Sequence, residues 1–267
     1  MWFSAVDLNI ILLLCGKMFA FTTFFGGLTM LAISMMPSLG TGALGLFAET
    51  GWVGKGIVII LMGISIVSWA MILLKYQFLR RSERESHEFL AVFRKTKKVE
   101  ELLIHAEQRK FSPLATLFAE GYREAEAIMK TLPGGKVSDE ERVNISTEIE
   151  RLLKITTQDE ISYMERYLAF LGTAGTVGPL LGLFGTVWGI MDAFYGIGLK
   201  GAGDIGALAP GLAAALINTI SGLFVAIPAV IAYNYFSDKI RDIAIRCDSF
   251  SMEFLSFIER QLLRGRS

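Results

Sequence analysis

Two hydroxyls lie deep in long apolar stretches of this chain. Thr186 is in GTAGTVGPLLGLFGTVWGIMDAF (172–194), and Thr219 is in APGLAAALINTISGLFVAIPAVIAYN (209–234), beside Asn218 and Ser221. A hydroxyl in such a stretch has two uses. It can bond back to the carbonyl one turn earlier in its own helix, with no functional meaning. Alternatively, two hydroxyls at matched depth line a polar path or hydrogen-bond an ionisable group on a neighbour. Charge is what both stretches lack. Between Arg166 and Asp192 the only ionisable side chain is Tyr167, and between Ile205 and Ser237 there are only tyrosines. Ion-driven machines need a titratable carboxylate inside the membrane, and Asp192 falls near the outer end of its stretch. If protons move here, the working carboxylate must come from a partner.

Small residues surround these hydroxyls. Gly172, Gly175, Gly178, Gly182, Gly185 and Gly189 recur every three or four positions and so share one helix face. A matching stripe, Gly211, Ala215, Asn218, Gly222, Ala226 and Ala229, runs along the second stretch. Small residues at this spacing let helix backbones approach closely in lipid, within one chain or between subunits. Pro179 and Pro228 lie inside the spans, where neighbouring helices can satisfy the freed carbonyls. They kink the helices or act as hinges that flex during ion flow.

The elements that hold these residues follow from hydropathy. Of 267 residues, 52% are hydrophobic and only 19% charged, with 27 glycines, so the chain is too apolar for a soluble domain of its size. The formal net charge of zero gives no basic excess for nucleic acid. Cys15 and Cys247 form no metal or disulfide motif, and His87 and His105 read as ordinary surface residues. No GxxxxGK[ST] loop is present, so nucleotide hydrolysis has no support, and neither an enzyme activity nor a cofactor is expected.

Residues 56–74, GIVIILMGISIVSWAMILL, are long enough to cross a bilayer. Lys75, Arg80, Arg81 and Arg84 follow, which places that end in the cytoplasm. The 168–194 span leads to a short external loop, and 208–236 returns to the cytoplasm before Lys239, Arg241 and Arg246. Residues 10–36 are also apolar, with Lys17 near their start and Pro37 at their end, and fit either a signal peptide or an extra helix. In the polar middle, Phe89, Val92, Phe93, Leu114, Leu117 and Phe118 have helical spacing. Pro133-Gly134-Gly135 breaks the pattern, and Ser138 with Glu141 forms a capping box. The helix that follows carries Ile145, Ile149, Leu152, Leu153 and Ile155 on one side and is expected to run unbroken into the membrane. The tail repeats Ile240, Ile243, Phe250, Phe254, Phe257 and Ile258 as an amphipathic helix continuing the last span.

The expected fold is an all-α integral membrane protein with three core transmembrane helices and long cytoplasmic helical extensions. Its segments are a hydrophobic N-terminal segment (1–50), the first core span (51–75), a cytoplasmic helical domain (76–167), a two-helix channel hairpin (168–236) and a cytoplasmic C-terminal helix (237–267).

GLFGTVWGIM (182–191), preceded by LGTAGTVGP and paired with APGLAAALINTISGLFVAIPAVIAYN, resembles the TolQ/ExbB/MotA family of proton-channel subunits. The first clear span and the tail DSFSMEFLSFIERQ are nearer TolQ than ExbB, and the likeness covers most of residues 56–262. The resemblance implies a bacterial inner-membrane complex in which five such chains surround two copies of a single-span TolR-like or ExbD-like partner. That partner supplies the membrane aspartate, and a TolA-like or TonB-like protein joins the assembly. Thr186 and Thr219 match the two threonines that face this aspartate. The chain departs from the family pattern at Ala214, where a glutamate is usual, and at Asp192, where histidine or asparagine is usual. Asp192 is therefore expected to compensate, or the chain belongs to a divergent branch such as a gliding motor. Envelope integrity and division, TonB-dependent uptake and gliding all use this architecture, with protons or sodium. A scaffold that assembles with partner helices and conducts nothing is the alternative from a different class.

Overall fold

The computed structural model describes residues 51–96, 98–131, 138–200 and 208–260. Residues 1–50, the Pro133-Gly134-Gly135 break and most of the loop between the last two spans lie outside them. Among the described residues there are six helices and no strand: α1 (Trp52–Lys95), α2 (Val99–Gln108), α3 (Pro113–Thr131), α4 (Asp139–Glu165), α5 (Leu168–Lys200) and α6 (Ala209–Ile258). The chain is an all-α membrane protein. Three of these helices, α1, α5 and α6, are long and apolar enough to cross a bilayer.

α1 has 44 residues and α6 has 50. At 1.5 Å per residue they measure roughly 66 and 75 Å, more than twice the hydrocarbon thickness of about 30 Å. Each therefore continues well past its apolar part. α6 carries the last span and the tail pattern as one uninterrupted helix.

The described residues form two compact units. The first holds the start of α1, up to Val58, with Leu183–Thr219. The second holds Ile59–Gly182 and the chain from Ile220 onward. The core of the second unit is aromatic. Phe89, Phe118 and Phe254 are fully buried, with Phe93 and Phe250 beside them. Ring centroids are 5.6 Å apart for Phe89–Phe118, 5.6 Å for Phe118–Phe254 and 5.1 Å for Phe93–Phe250. Leu117, Ile149, Leu153, Ile240 and Ile258 complete this core from α3, α4 and α6.

Local signals start the helices. Ser138 accepts from the Glu141 N–H at 3.2 Å, and the Glu141 carboxylate accepts from the Ser138 N–H at 2.8 Å. That reciprocal box starts α4. The bonds that the carboxylate accepts from the Ser138 N–H and hydroxyl hold the Glu141 carboxyl below its ordinary range. Pro113 opens α3 and has no N–H to leave unsatisfied there. Ser112 before it accepts from the Ala115 N–H at 3.2 Å. Glu85 braces the same turn, accepting from Arg81 Nε at 2.7 Å and from the Phe111 N–H at 3.1 Å.

Two expectations are corrected. The helix from Ser138 does not run unbroken into the next span. α4 ends at Glu165 and α5 begins at Leu168, with Tyr167 between them at φ 68°. A left-handed residue just past a helix end is a common C-terminal cap, but glycine usually takes that place. Tyrosine there gives no cue in the sequence. The second correction is Ile155, which is 48% exposed; the buried face of α4 is Ile145, Ile149 and Leu153.

Candidate functional site

In the first unit, α5 and α6 meet along their small residues. A Cβ placed on Gly185 would lie 2.8 Å from both Cβ and Cγ of Asn218, and one on Gly189 would lie 2.8 Å from Ala215 Cβ. Gly211 faces Ala193 in the same manner, at 3.0 Å. This close approach brings the polar groups of the two helices together. Thr186, only 8% exposed, donates to the Ala215 carbonyl at 3.2 Å and hydrogen-bonds the Thr219 hydroxyl. A hydroxyl has one proton, so while Thr186 donates to the carbonyl, Thr219 donates to Thr186. By contrast, Thr173 and Thr176 bond back one turn along their own helix, to the Ala169 and Gly172 carbonyls.

Asn218 adjoins this pair and is 0% exposed, yet neither its amide nitrogen nor its amide oxygen has a hydrogen-bond partner in the protein. Burying an amide without compensation costs a few kcal/mol. The Thr186, Thr219 and Asn218 level is therefore the most polar and the least satisfied part of the pair.

Asp192 lies apart from this level. It is six residues beyond Thr186, roughly 9 Å along the helix. Its side chain is exposed at the rim of a cavity of about 120 Å³ walled by Gly51, Gly54, Trp188, Gly189, Ala214 and Ala215. Ala214, 2% exposed, contributes only a methyl group to that wall. Ala215 and Gly189 are shared between the cavity and the helix contact next to Thr186. No group of three or more metal-ligating side chains exists among the described residues. A neutral hydroxyl pair and a carboxylate at the rim can hold or pass a proton, and among the described residues they form no metal ligand set.

In the second unit the same two helices are closer still. A Cβ on Gly222 would fall 2.5 Å from the Gly178 carbonyl oxygen and 3.0 Å from Gly182 Cα. Pro179 and Pro228 are both inside helices that continue through them. The contact of Gly211 with Ala193 was not singled out in the sequence, although Gly211 belongs to the stripe that could have found it.

The profile of the MotA/TolQ/ExbB proton channel family matches residues 110–249. The Tol-Pal system protein TolQ of Haemophilus influenzae is 32% identical over 220 residues, which is 82% of this chain and 94% of that protein. The Tol-Pal system protein TolQ of Pseudomonas aeruginosa is 42% identical over 114 residues, covering 43% of this chain and 49% of that one. The biopolymer transport protein ExbB of Salmonella typhimurium is 49% identical over 78 residues, 29% of this chain and 32% of that one. With the threonine pair lying inside the matched region, the chain belongs to the MotA/TolQ/ExbB proton channel family.

Proposed function

We propose that this chain is a TolQ-like subunit of a proton-driven complex in a bacterial inner membrane, working with a single-span TolR-like or ExbD-like partner. The observation that carries this reading is the hydrogen-bonded pair of buried Thr186 and half-buried Thr219, in a hairpin with no carboxylate of its own between Tyr167 and Asp192. As arranged, Thr219 can accept from a partner's protonated carboxyl group, and by turning its proton from Thr186 to the partner it can donate to the ionised form. The proton is taken up and released on that borrowed acid, and Asp192 supplies negative charge at the cavity rim. The Gly178, Gly182 and Gly222 contact holds the hairpin together, while Pro179 and Pro228 are the points where it flexes. Five copies around a partner dimer follow from the family resemblance. The Tol-Pal names of the full-length relative and of a second partial one favour envelope integrity and division as the driven process, with biopolymer uptake as the runner-up on the ExbB match.

The test is proton flux in liposomes holding the chain with its co-purified partner. Thr186→Val and Thr219→Val keep the shape and remove the hydroxyls, and each is expected to lower flux at least tenfold while the complex still assembles. Undiminished flux in both variants would sink the hydroxyl role. A wild-type complex that assembles and conducts nothing would support the scaffold instead.

A further inference from the structure

Lys75 closes the first apolar span, and Arg166 sits at the joint between α4 and α5. In the fold the two meet. Lys75 Nζ donates to the Arg166 carbonyl at 3.0 Å and lies 5.6 Å from the centre of the Phe78 ring. Tyr163 packs edge-on against Phe78 with centroids 5.7 Å apart, and the Arg166 guanidinium lies 5.4 Å from the Tyr167 ring. Tyr163 and Tyr167 are 57% and 63% exposed, and apolar Leu74 beside Lys75 is exposed as well.

These two cations differ from four that lie deeper in the polar region. Arg81 pairs with Glu85 at 2.7 Å and Arg84 with Glu88 at 3.9 Å, while Lys239 and Arg246 share Glu83 at 3.5 and 3.7 Å. Neither Lys75 nor Arg166 has a carboxylate within 4 Å among the described residues. Both cations sit at the level where the apolar spans end. Tyrosines with an apolar body and a polar tip frame it, as at a membrane–water interface. A lysine ammonium and an arginine fork suit phosphate oxygens, and the exposed leucine suits acyl chains.

We propose that Lys75 and Arg166, framed by Tyr163 and Tyr167, bind the phosphate of an anionic phospholipid headgroup in the cytoplasmic leaflet. The site rests on the positive-inside topology and is independent of whether the chain conducts protons. The lipid bridges α1 to the α4–α5 joint, where Tyr167 holds its left-handed turn.

The test is native mass spectrometry of the full chain released from bilayers of phosphatidylcholine mixed with phosphatidylglycerol. Wild type is expected to retain phosphatidylglycerol preferentially. Each juxtamembrane cation is worth about 1 kcal/mol toward anionic lipid, so Lys75→Gln and Arg166→Gln should each lower the preference about fivefold. Arg84→Gln, whose cation is already paired, should leave it unchanged. Equal retention of the two lipids by wild type, or an undiminished preference in the double variant, overturns the site. Two measurements on wild type need no variant to fold. The preference should fall as salt is raised, and a salt-independent preference counts against the site. Inorganic phosphate should fail to displace the lipid, and displacement by phosphate alone would overturn the assignment to lipid.

Discussion

Around Thr186 and Asn218 the packing is built from glycine and alanine, whereas around Phe118 it is built from phenylalanine. Solvent accounts for the contrast. In water, burying a large ring removes apolar area from the solvent, which is favourable in itself. In lipid a ring gains nothing by leaving the acyl chains, so helices associate through close backbone contact and internal hydrogen bonds. The same chain uses both rules, and each segment is legible only with the rule for its own solvent. The small-residue rule also places polar groups at the helix contact, since glycine against Asn218 leaves the amide enclosed with no partner.

The largest expected effect comes from breaking the aromatic side of the comparison. Phe118 is 0% exposed and lies within 6 Å of the ring centroids of Phe89, Phe93 and Phe254. Phe118→Ala leaves a cavity that rigid neighbouring rings cannot close, and should cost about 3–5 kcal/mol. Thermal unfolding of the detergent-solubilised protein should show a clear loss of stability. A shift indistinguishable from wild type would mean that this core can collapse around the gap.

The glycine side breaks by addition rather than removal. Gly222→Ala places a methyl against the backbone of two residues, Gly178 and Gly182, neither of which has a side chain to move aside. Overpacking of this kind costs about 1–3 kcal/mol. Gly63→Ala is the matched control, because nothing lies within 4 Å of its Cβ and the helix gains propensity, up to about 1 kcal/mol. Opposite signs for the two substitutions in the same unfolding measurement would establish close approach as the reason for glycine at 222. If both were neutral, the stripe would have no packing role.

Much of the architecture was legible because period and solvent agree in it. The three spans show as apolar runs, the amphipathic face of the tail as a helical repeat, and the start of α4 as a serine with a glutamate three residues on. The glycine stripes predicted which faces approach. What the sequence hid was the Arg166–Tyr167 joint, because its left-handed residue is a tyrosine and its freed carbonyl is satisfied by Lys75, 91 residues earlier. The exposure of Ile155 was hidden too, because four well-placed apolar residues on α4 concealed a fifth on another face. At the candidate site the residue types were readable. That the Asn218 amide would be enclosed without a partner was not, since that depends on how closely Gly185 lets α6 approach.

A smaller effect separates local from tertiary stabilisation. Ser138→Ala removes the cap of α4, and loss of such a cap costs on the order of 1 kcal/mol. Hydrogen exchange should rise in the first turn of α4, at Glu141 and Arg142, while amides near Phe254 keep their protection. Equal loss of protection at both would show that the cap holds the core and not only its own helix.

The smallest expected effect concerns Cys247, fully buried on α6 in the second unit. Burial first, then the nearby Glu160 and Asp248 charges, pushes its thiol up to about 12 from an ordinary value of 9.0. The folded state therefore favours the neutral thiol. That contribution to stability is fully present below pH 9 and is lost as the pH rises from about 9 toward 12, because the unfolded chain ionises first. Only the thiolate is nucleophilic, so at pH 8.5 the folded protein should react with a maleimide far more slowly than the denatured protein. Stability of wild type relative to Cys247→Ala should begin to fall above pH 9. Rapid labelling of the folded chain would mean that α6 opens at this point, and the aromatic core around Phe250 and Phe254 would then be less rigid than its ring contacts imply.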